Sequence, residues 1–304
     1  MSFSNVNQTR AALEKAGYVC TTEIATVAFL AAAADKPILV EGPAGVGKTE
    51  LAKAVARGLG RDLIRLQCYE GLDEAKALYE WEYAKQLLYT QIVRDKIGDV
   101  VTDARTLTDA VDRIAAEADA FFSERFLLPR PLLQAILAPA PVVLLVDEID
   151  KADPEFEAFL LELLSDFQVT IPELGTRRAV HLPFVVLTSN NFRDMSDALK
   201  RRCLHLYIDY PGPDIEQQIV CRKLPELPGL LAERMVAAMV RIRQLDLKKK
   251  PSIAETLDWA RALISLQIET LDREAVIATL NVICKYREDA ERVRGAVDQV
   301  VNFT

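Results

Sequence analysis

The chain has two histidines and five cysteines in 304 residues, and no CxxC pair. Cys20, Cys68, Cys203, Cys221 and Cys284 lie far apart and are odd in number, which suits reduced, mostly buried thiols rather than a disulfide framework. With only His181 and His205 beside them, a dedicated zinc site lacks ligands. The longest apolar stretches, around Ile24–Ala34 and Val142–Val146, fall short of the roughly 20 residues a bilayer needs, so no membrane span is expected. The opening residues Met1-Ser2-Phe3-Ser4-Asn5 hold no basic region leading into an apolar core, so the expected location is cytoplasmic. Long polar low-complexity tracts are missing, which argues against large-scale disorder. Positive charge is in deficit, 37 Lys and Arg against 45 Asp and Glu, for a net charge of −8. That balance argues against general affinity for nucleic acid or anionic membranes, with Lys248-Lys249-Lys250 as a local exception best read as a solvated loop.

What is present is ordinary globular composition, half hydrophobic and 27% charged, at a length that can hold two domains. Residues 9 to 34 read as two helices broken at Gly17-Tyr18. Pro37 then introduces the apolar run Ile38-Leu39-Val40, ending at Glu41, as expected of a buried parallel strand. Leu63–Leu66, Val142–Val146, Phe184–Leu187 and Leu204–Ile208 follow the same logic. Asp153-Pro154 supplies a good N-cap with proline in the first turn, and Phe156, Phe159, Leu160, Leu163, Leu164 and Phe167 keep the spacing of a one-faced helix. Alternating strands and helices predict an α/β fold with a mainly parallel five-stranded sheet. Residues 72–137 form a long insertion expected to be helical, carrying the aromatic group Tyr79, Trp81, Tyr83 and Tyr89, read as packing. Over 168–183, Gln168–Ile171 and Ala179–Leu182 are expected to pair as a β-hairpin around Glu173-Leu174-Gly175-Thr176. Beyond Pro213 no strand run occurs. This divides the chain into an α/β core, 1–212, and an all-α domain, 213–304.

The chemistry-bearing motif is Gly42-Pro43-Ala44-Gly45-Val46-Gly47-Lys48-Thr49, followed by Glu50, lying between a strand and a helix. Its glycines allow a nest of backbone N–H groups aimed at phosphate oxygens. Lys48 then offers an ammonium to the β- and γ-phosphates, and the Thr49 hydroxyl a ligand for Mg²⁺. The expected cofactors are therefore ATP and Mg²⁺. Val142–Val146 ends in Asp147 and Glu148, which an open sheet delivers to its ligand-binding carboxyl edge. Asp147 suits the metal, and Glu148 the attacking water.

Phosphate loop, Asp147-Glu148 and the strand end Leu187-Thr188-Ser189-Asn190 together resemble an AAA+ ATPase. The resemblance covers about residues 20 to 300. It implies a P-loop core with a helical lid, and assigns Asn190 the role of sensor 1, with Asn191 as the alternative register. It implies a trans-acting arginine before the last strand; in Ser196–Cys203 the choice is Arg202, with Arg201 in reserve. It also implies a homo-oligomeric ring, of hexameric type. Asp147-Glu148-Ile149-Asp150-Lys151-Ala152, the hairpin, and Tyr207-Ile208-Asp209-Tyr210-Pro211 narrow the likeness to the MoxR branch, and within it to the CoxD type connected with carbon monoxide dehydrogenase maturation. That branch implies a chaperone working with a von Willebrand factor A domain partner on a metalloenzyme client. One departure stands out. Pro251-Ser252-Ile253-Ala254 lacks the arginine that relatives place there as sensor 2, and Arg261 is the candidate substitute. A P-loop kinase, a DNA-related AAA+ motor and a non-enzymatic nucleotide scaffold are the competing readings. The acidic charge weighs against the second, and the retained Lys48, Asp147 and Glu148 against the third.

Overall fold

Five apolar runs build one parallel sheet in the computed structural model, which describes residues 3–85, 87, 106, 126–171 and 174–302. In chain order its strands are β1 (Ile38–Glu41), β2 (Leu63–Gln67), β5 (Val143–Asp147), β8 (Phe184–Ser189) and β9 (Leu204–Tyr207), arranged β2-β5-β8-β1-β9. Every neighbouring pair is parallel.

The two-residue period of a strand sorts side chains onto opposite faces. Val143 and Leu145 of β5 pack with α1 (Val6–Lys15), α2 (Thr22–Ala34) and α3 (Lys48–Leu59). Leu144 and Val146 pack on the other side with α4 (Glu74–Leu78), α5 (Pro131–Ile136), α6 (Pro154–Asp166) and α7 (Asp197–Arg202). Each fully buried Val or Leu contributes about 1.5–3 kcal/mol relative to exposure. β5 and β8, buried at every position, are thus the strands least tolerant of polar replacement.

The break between the first helices falls at Gly17, whose φ of +89° suits glycine. Thr21 then caps α2 by accepting from the Ile24 N–H. Pro154 sits in the first turn of α6 as expected, but the Asp153 side chain does not cap that helix. Its Oδ2 accepts instead from the Gly71 N–H at 3.3 Å, tying down the loop that follows β2.

Two expectations need correction. The hairpin pairs β6 (Gln168–Ile171) with β7 (Gly175–Arg178), so Ala179–Leu182 is not its second strand. Gly175, at φ +74°, lets the chain turn back that early. The insertion begins and ends in helices, α4 and α5, as expected, but just inside them β3 (Tyr79–Trp81) and β4 (Leu127–Pro129) pair antiparallel, which was not expected. Its middle, including Tyr89, lies outside the described residues. Tyr79 and Trp81 pack edge to face with centroids 5.9 Å apart, while Tyr83 is exposed.

After β9 the described chain is helical: α8 (Pro213–Lys223), α9 (Gly229–Gln244), α10 (Ile253–Ser265), α11 (Arg273–Ile283), α12 (Arg287–Gly295) and α13 (Val297–Val300). These helices share an apolar cluster of their own around Trp259, whose Nε1 donates to Thr279 Oγ1 at 2.7 Å. A polar hub sits inside this helical layer. Arg243 donates to both oxygens of the buried Glu216 at 2.5 and 2.7 Å and to the Pro251 carbonyl at 2.8 Å. Thr256 Oγ1 donates to the same carboxylate at 2.5 Å, and Arg243 lies over the Tyr210 ring. All five cysteines are free, and all but Cys221 are buried. Among the described residues no helix is long and apolar enough to cross a membrane.

Removing one partner of a buried ion pair strands the other charge, at a cost of about 3–5 kcal/mol. Arg243→Ala is therefore expected to destabilise the helical layer by that amount in urea unfolding followed by Trp259 fluorescence. A loss below about 1 kcal/mol, the range of an exposed pair, would show that Glu216 is not a stranded charge.

Candidate functional site

The loop between β1 and α3 is shaped by glycines in conformations that L side chains rarely adopt. Gly42, Gly45 and Gly47 have φ of +145°, +79° and +100°. A Cβ on Gly42 would lie 1.9 Å from the Ile208 carbonyl oxygen, and one on Gly45 would lie 2.1 Å from Ser252 Oγ. The loop is therefore pressed between the segment leaving β9 and the first turn of α10. Val46 of the loop is buried, and α3 starts directly at Lys48.

Lys48 is buried, and its ammonium is fully engaged: it donates to the Gly42 carbonyl at 2.6 Å, the Pro43 carbonyl at 2.7 Å and Asn190 Oδ1 at 2.8 Å. Burial holds its pKa below the ordinary lysine value, while Asp150, Asp147 and Glu148 pull it back up. At the next position, the Thr49 hydroxyl donates to Asp147 Oδ1 at 3.1 Å. That carboxylate is buried and also accepts from Thr188 Oγ1 at 2.6 Å and from Arg65 Nη2 at 2.6 Å. Glu50 pairs with Lys53 at 2.8 Å and with Lys223 at 3.1 Å. Burial raises the Glu50 carboxyl pKa, and the two lysines more than reverse that effect.

Glu148 sits just past the end of β5 in the left-handed region, φ +57°, a strained backbone for a residue that is not glycine. Its carboxylate accepts from Gln67 Nε2 at 2.9 Å, from Lys151 Nζ at 2.5 Å and from Asn190 Nδ2 at 3.4 Å. Asn190, at the end of β8, therefore touches both Lys48 and Glu148. Asp150 fixes that strand end: its Oδ2 accepts from the Asn190 and Phe192 backbone N–H groups at 3.0 and 2.9 Å. The nearby Cys68 thiol pKa is pushed up to about 12, by burial first and then by the carboxylates of Asp147, Asp150 and Glu148.

A cavity of about 640 Å³ opens over this set. Tyr18, Ile208, Ile215, Ile219 and Leu257 line its apolar part, and the α8 residues Arg222 and Lys223 lie at its rim. Arg222 donates to the Tyr18 carbonyl at 3.1 Å and Lys223 pairs with Glu50, so α8 is bonded across the mouth. The helical layer also meets the loop through Ser252, which caps α10 and bonds Glu255. Among the described residues no cluster of three or more His, Cys, Asp or Glu side chains forms a metal cage. The Thr49 hydroxyl against the Asp147 carboxylate is a hard-oxygen pair of the kind that holds Mg²⁺ together with phosphates.

The structure thus gathers Gly42 through Glu50, Asp147, Glu148 and Asn190 at one edge of the sheet. Asn191 has φ +60° and an exposed side chain, and no bond of its side chain to Lys48 or Glu148 is found. Arg201 and Arg202 lie elsewhere, exposed on α7, with Arg202 Nε donating to Ser165 Oγ at 2.7 Å. Arg261, the candidate substitute for sensor 2, is exposed, pairs with Asp258 at 2.8 Å and is not among the residues lining the cavity. Sequence reasoning missed Arg65, Gln67, Thr188 and Asp150. For Arg65 a signal existed: a charge in the middle of the apolar run Leu63–Leu66 has no place in a strand buried on both faces.

The family model of the AAA domain, dynein-related subfamily, matches residues 37–203, which run from the start of β1 to the start of β9. This chain belongs to that family. It is an ATPase of the AAA+ class, and the loop at Gly42–Thr49 makes it a nucleotide-binding protein. Over 226 residues it is 25% identical to Protein CbbQ of Hydrogenophilus thermoluteolus, covering 71% of this chain and 69% of that protein. Solved structures similar to it include the Thermotoga maritima RuvB Holliday junction branch migration motor, at 18% identity and a TM-score of 0.46, over 91% of this chain and 67% of that one. A point mutant of the same motor matches at 19% identity and a TM-score of 0.47, over 93% and 70% of the two chains.

The contact between Gly45 and Ser252 leaves no room for a side chain. Gly45→Ala is expected to force α10 away from the loop and weaken binding of a fluorescent ATP analogue about tenfold, the effect of 1–2 kcal/mol of backbone strain. Unaltered affinity would mean that this contact is not part of the nucleotide-binding state.

Proposed function

We propose that the protein is a MoxR-type AAA+ chaperone that couples ATP hydrolysis to remodelling or activating a client. The observation that carries the reading is the continuous chain Asp147–Thr49 and Lys48–Asn190–Glu148, which links the phosphate loop to both strand ends. In this reading the backbone of Gly42–Gly47 cradles the phosphates and Lys48 leaves its loop carbonyls to bind them. Thr49 and Asp147 would hold Mg²⁺, which when bound neutralises phosphate charge. Glu148 orients the attacking water, and Asn190, touching Lys48 and Glu148, reports the γ-phosphate to both.

The motifs from Asp147 to Pro211 support the MoxR branch, and the same motifs favour a CoxD-type member serving a molybdenum hydroxylase such as carbon monoxide dehydrogenase. A von Willebrand factor A domain protein is the proposed partner and the cytoplasm the proposed location. We assign residues 1–212 to the ATPase core and 213–304 to the lid, which contacts the phosphate loop through Ser252 and the cavity mouth through Arg222 and Lys223. A hexameric ring gives the exposed arginines of α7 a neighbouring site to act on.

Glu148→Gln is expected to bind ATP with near-normal affinity and to lose at least about a hundredfold in turnover, the scale of an acid–base or orienting role. Turnover at the wild-type rate would remove Glu148 from the reaction. For the trans arginine, Arg202→Ala subunits mixed with wild type are expected to lower the specific rate of their neighbours. If only Arg201→Ala poisons mixed assemblies, the role moves to Arg201, which does not have to leave Ser165.

A further inference from the structure

β2 is an edge strand, and on one of its faces stand Arg65 and Gln67, two residues apart. Arg65 Nη2 donates to Asp147 Oδ2 at 2.6 Å and to Gln67 Oε1 at 2.5 Å, and Gln67 Nε2 donates to Glu148 at 2.9 Å. The two partners of the ion pair are unlike: the Asp147 side chain is 3% exposed and that of Arg65 is 48% exposed. Asp147 Oδ1 accepts from Thr188 and Thr49, while Oδ2 accepts from the Arg65 guanidinium and lies 3.3 Å from the Thr49 hydroxyl.

We propose that Arg65 is a displaceable counter-ion for Asp147, competing with the divalent cation that arrives with the nucleotide. The proposal rests on the reading of Thr49 and Asp147 as the Mg²⁺ ligands. A buried carboxylate is costly unless paired, and the nearby Lys48 gives its donors to loop carbonyls and Asn190, so Arg65 is the cation that bonds Asp147 directly. Arg65 fills that need with a permanent charge, and its half-exposed position lets it withdraw into water at small cost. Both cations draw on the same buried carboxylate, and their mutual repulsion makes the two occupancies exclusive. Arg65 is a positioning residue in this scheme and touches no phosphate. Its withdrawal also frees Gln67 Oε1, so metal arrival at Asp147 loosens the residue that holds Glu148.

The test is a binding measurement with a fluorescent, slowly hydrolysed ATP analogue, made in MgCl₂ and in EDTA. The readout is the factor by which Mg²⁺ tightens binding. Arg65→Ala and Arg65→Gln are both expected to raise this factor about fivefold over wild type, the effect of removing a competing half-exposed ion pair. The glutamine variant keeps a hydrogen-bond donor, which guards against loss of folding in the alanine variant, and circular dichroism confirms that both are folded. A smaller factor in folded variants would show that Arg65 supports the bound metal, and an unchanged factor would show no linkage; either overturns the proposal alone. If Mg²⁺ has no effect on the wild-type protein, the assignment of Thr49 and Asp147 falls, and the counter-ion role with it.

Discussion

An ammonium and its facing carboxylates, withdrawn from water together, set the terms for the rest of this molecule. Lys48, Asp147 and Asp150 are each buried, and Glu148 lies beside them. A charge taken from water must be paired and hydrogen-bonded, or its burial is prohibitive. The fold largely meets this demand by ending β1, β5 and β8 at the same edge, where loop carbonyls, hydroxyls and an amide surround the charges; among the described residues Asp150 Oδ1 is buried without a hydrogen-bond partner. The apolar layers on the two faces of the sheet hold those strand ends in register; β2, at the margin, contributes the solvent-facing partners Arg65 and Gln67.

The helical layer meets this edge through Ser252, Arg222 and Lys223. Arg243, Glu216 and Thr256 lock α8, α9 and α10 together, and Tyr210 joins the segment leaving the sheet to the same cluster. These bonds tie the start of α10, which lies against Gly45, to α8 and α9. Lys223 and Arg222 add bonds across the cavity mouth that are largely exposed and individually weak. Strong internal bonding with weak external bonding is the division expected of a layer that moves as one piece.

Much of this was legible in the sequence, for reasons tied to particular residues. The strands were visible because Ile38–Val40, Val142–Val146 and Phe184–Leu187 are buried on both faces and so read as unbroken apolar runs. The loop was visible because only glycine fits at Gly42 and Gly45. The hairpin register failed because β7 is Gly-Thr-Arg-Arg, exposed or half-exposed throughout, and offers no apolar alternation to read. The strand pair inside the insertion was missed because pairs as short as Tyr79–Trp81 with Leu127–Pro129 are made by partners far apart in the chain. Arg65 was passed over because its partner is set by sheet order, and strand order is not written in local pattern.

Glu148 brings out a last consequence. It ends the most deeply buried strand in a left-handed backbone, a conformation glycine or asparagine adopts with less strain. The chain thus keeps a residue chosen for its carboxylate at a position where other residues would fold more comfortably. Selection for durability alone would replace the carboxylate to which the proposed function gives the attacking water. The site persists as a trade-off, in which the apolar packing of β5 offsets a local discomfort that only activity justifies.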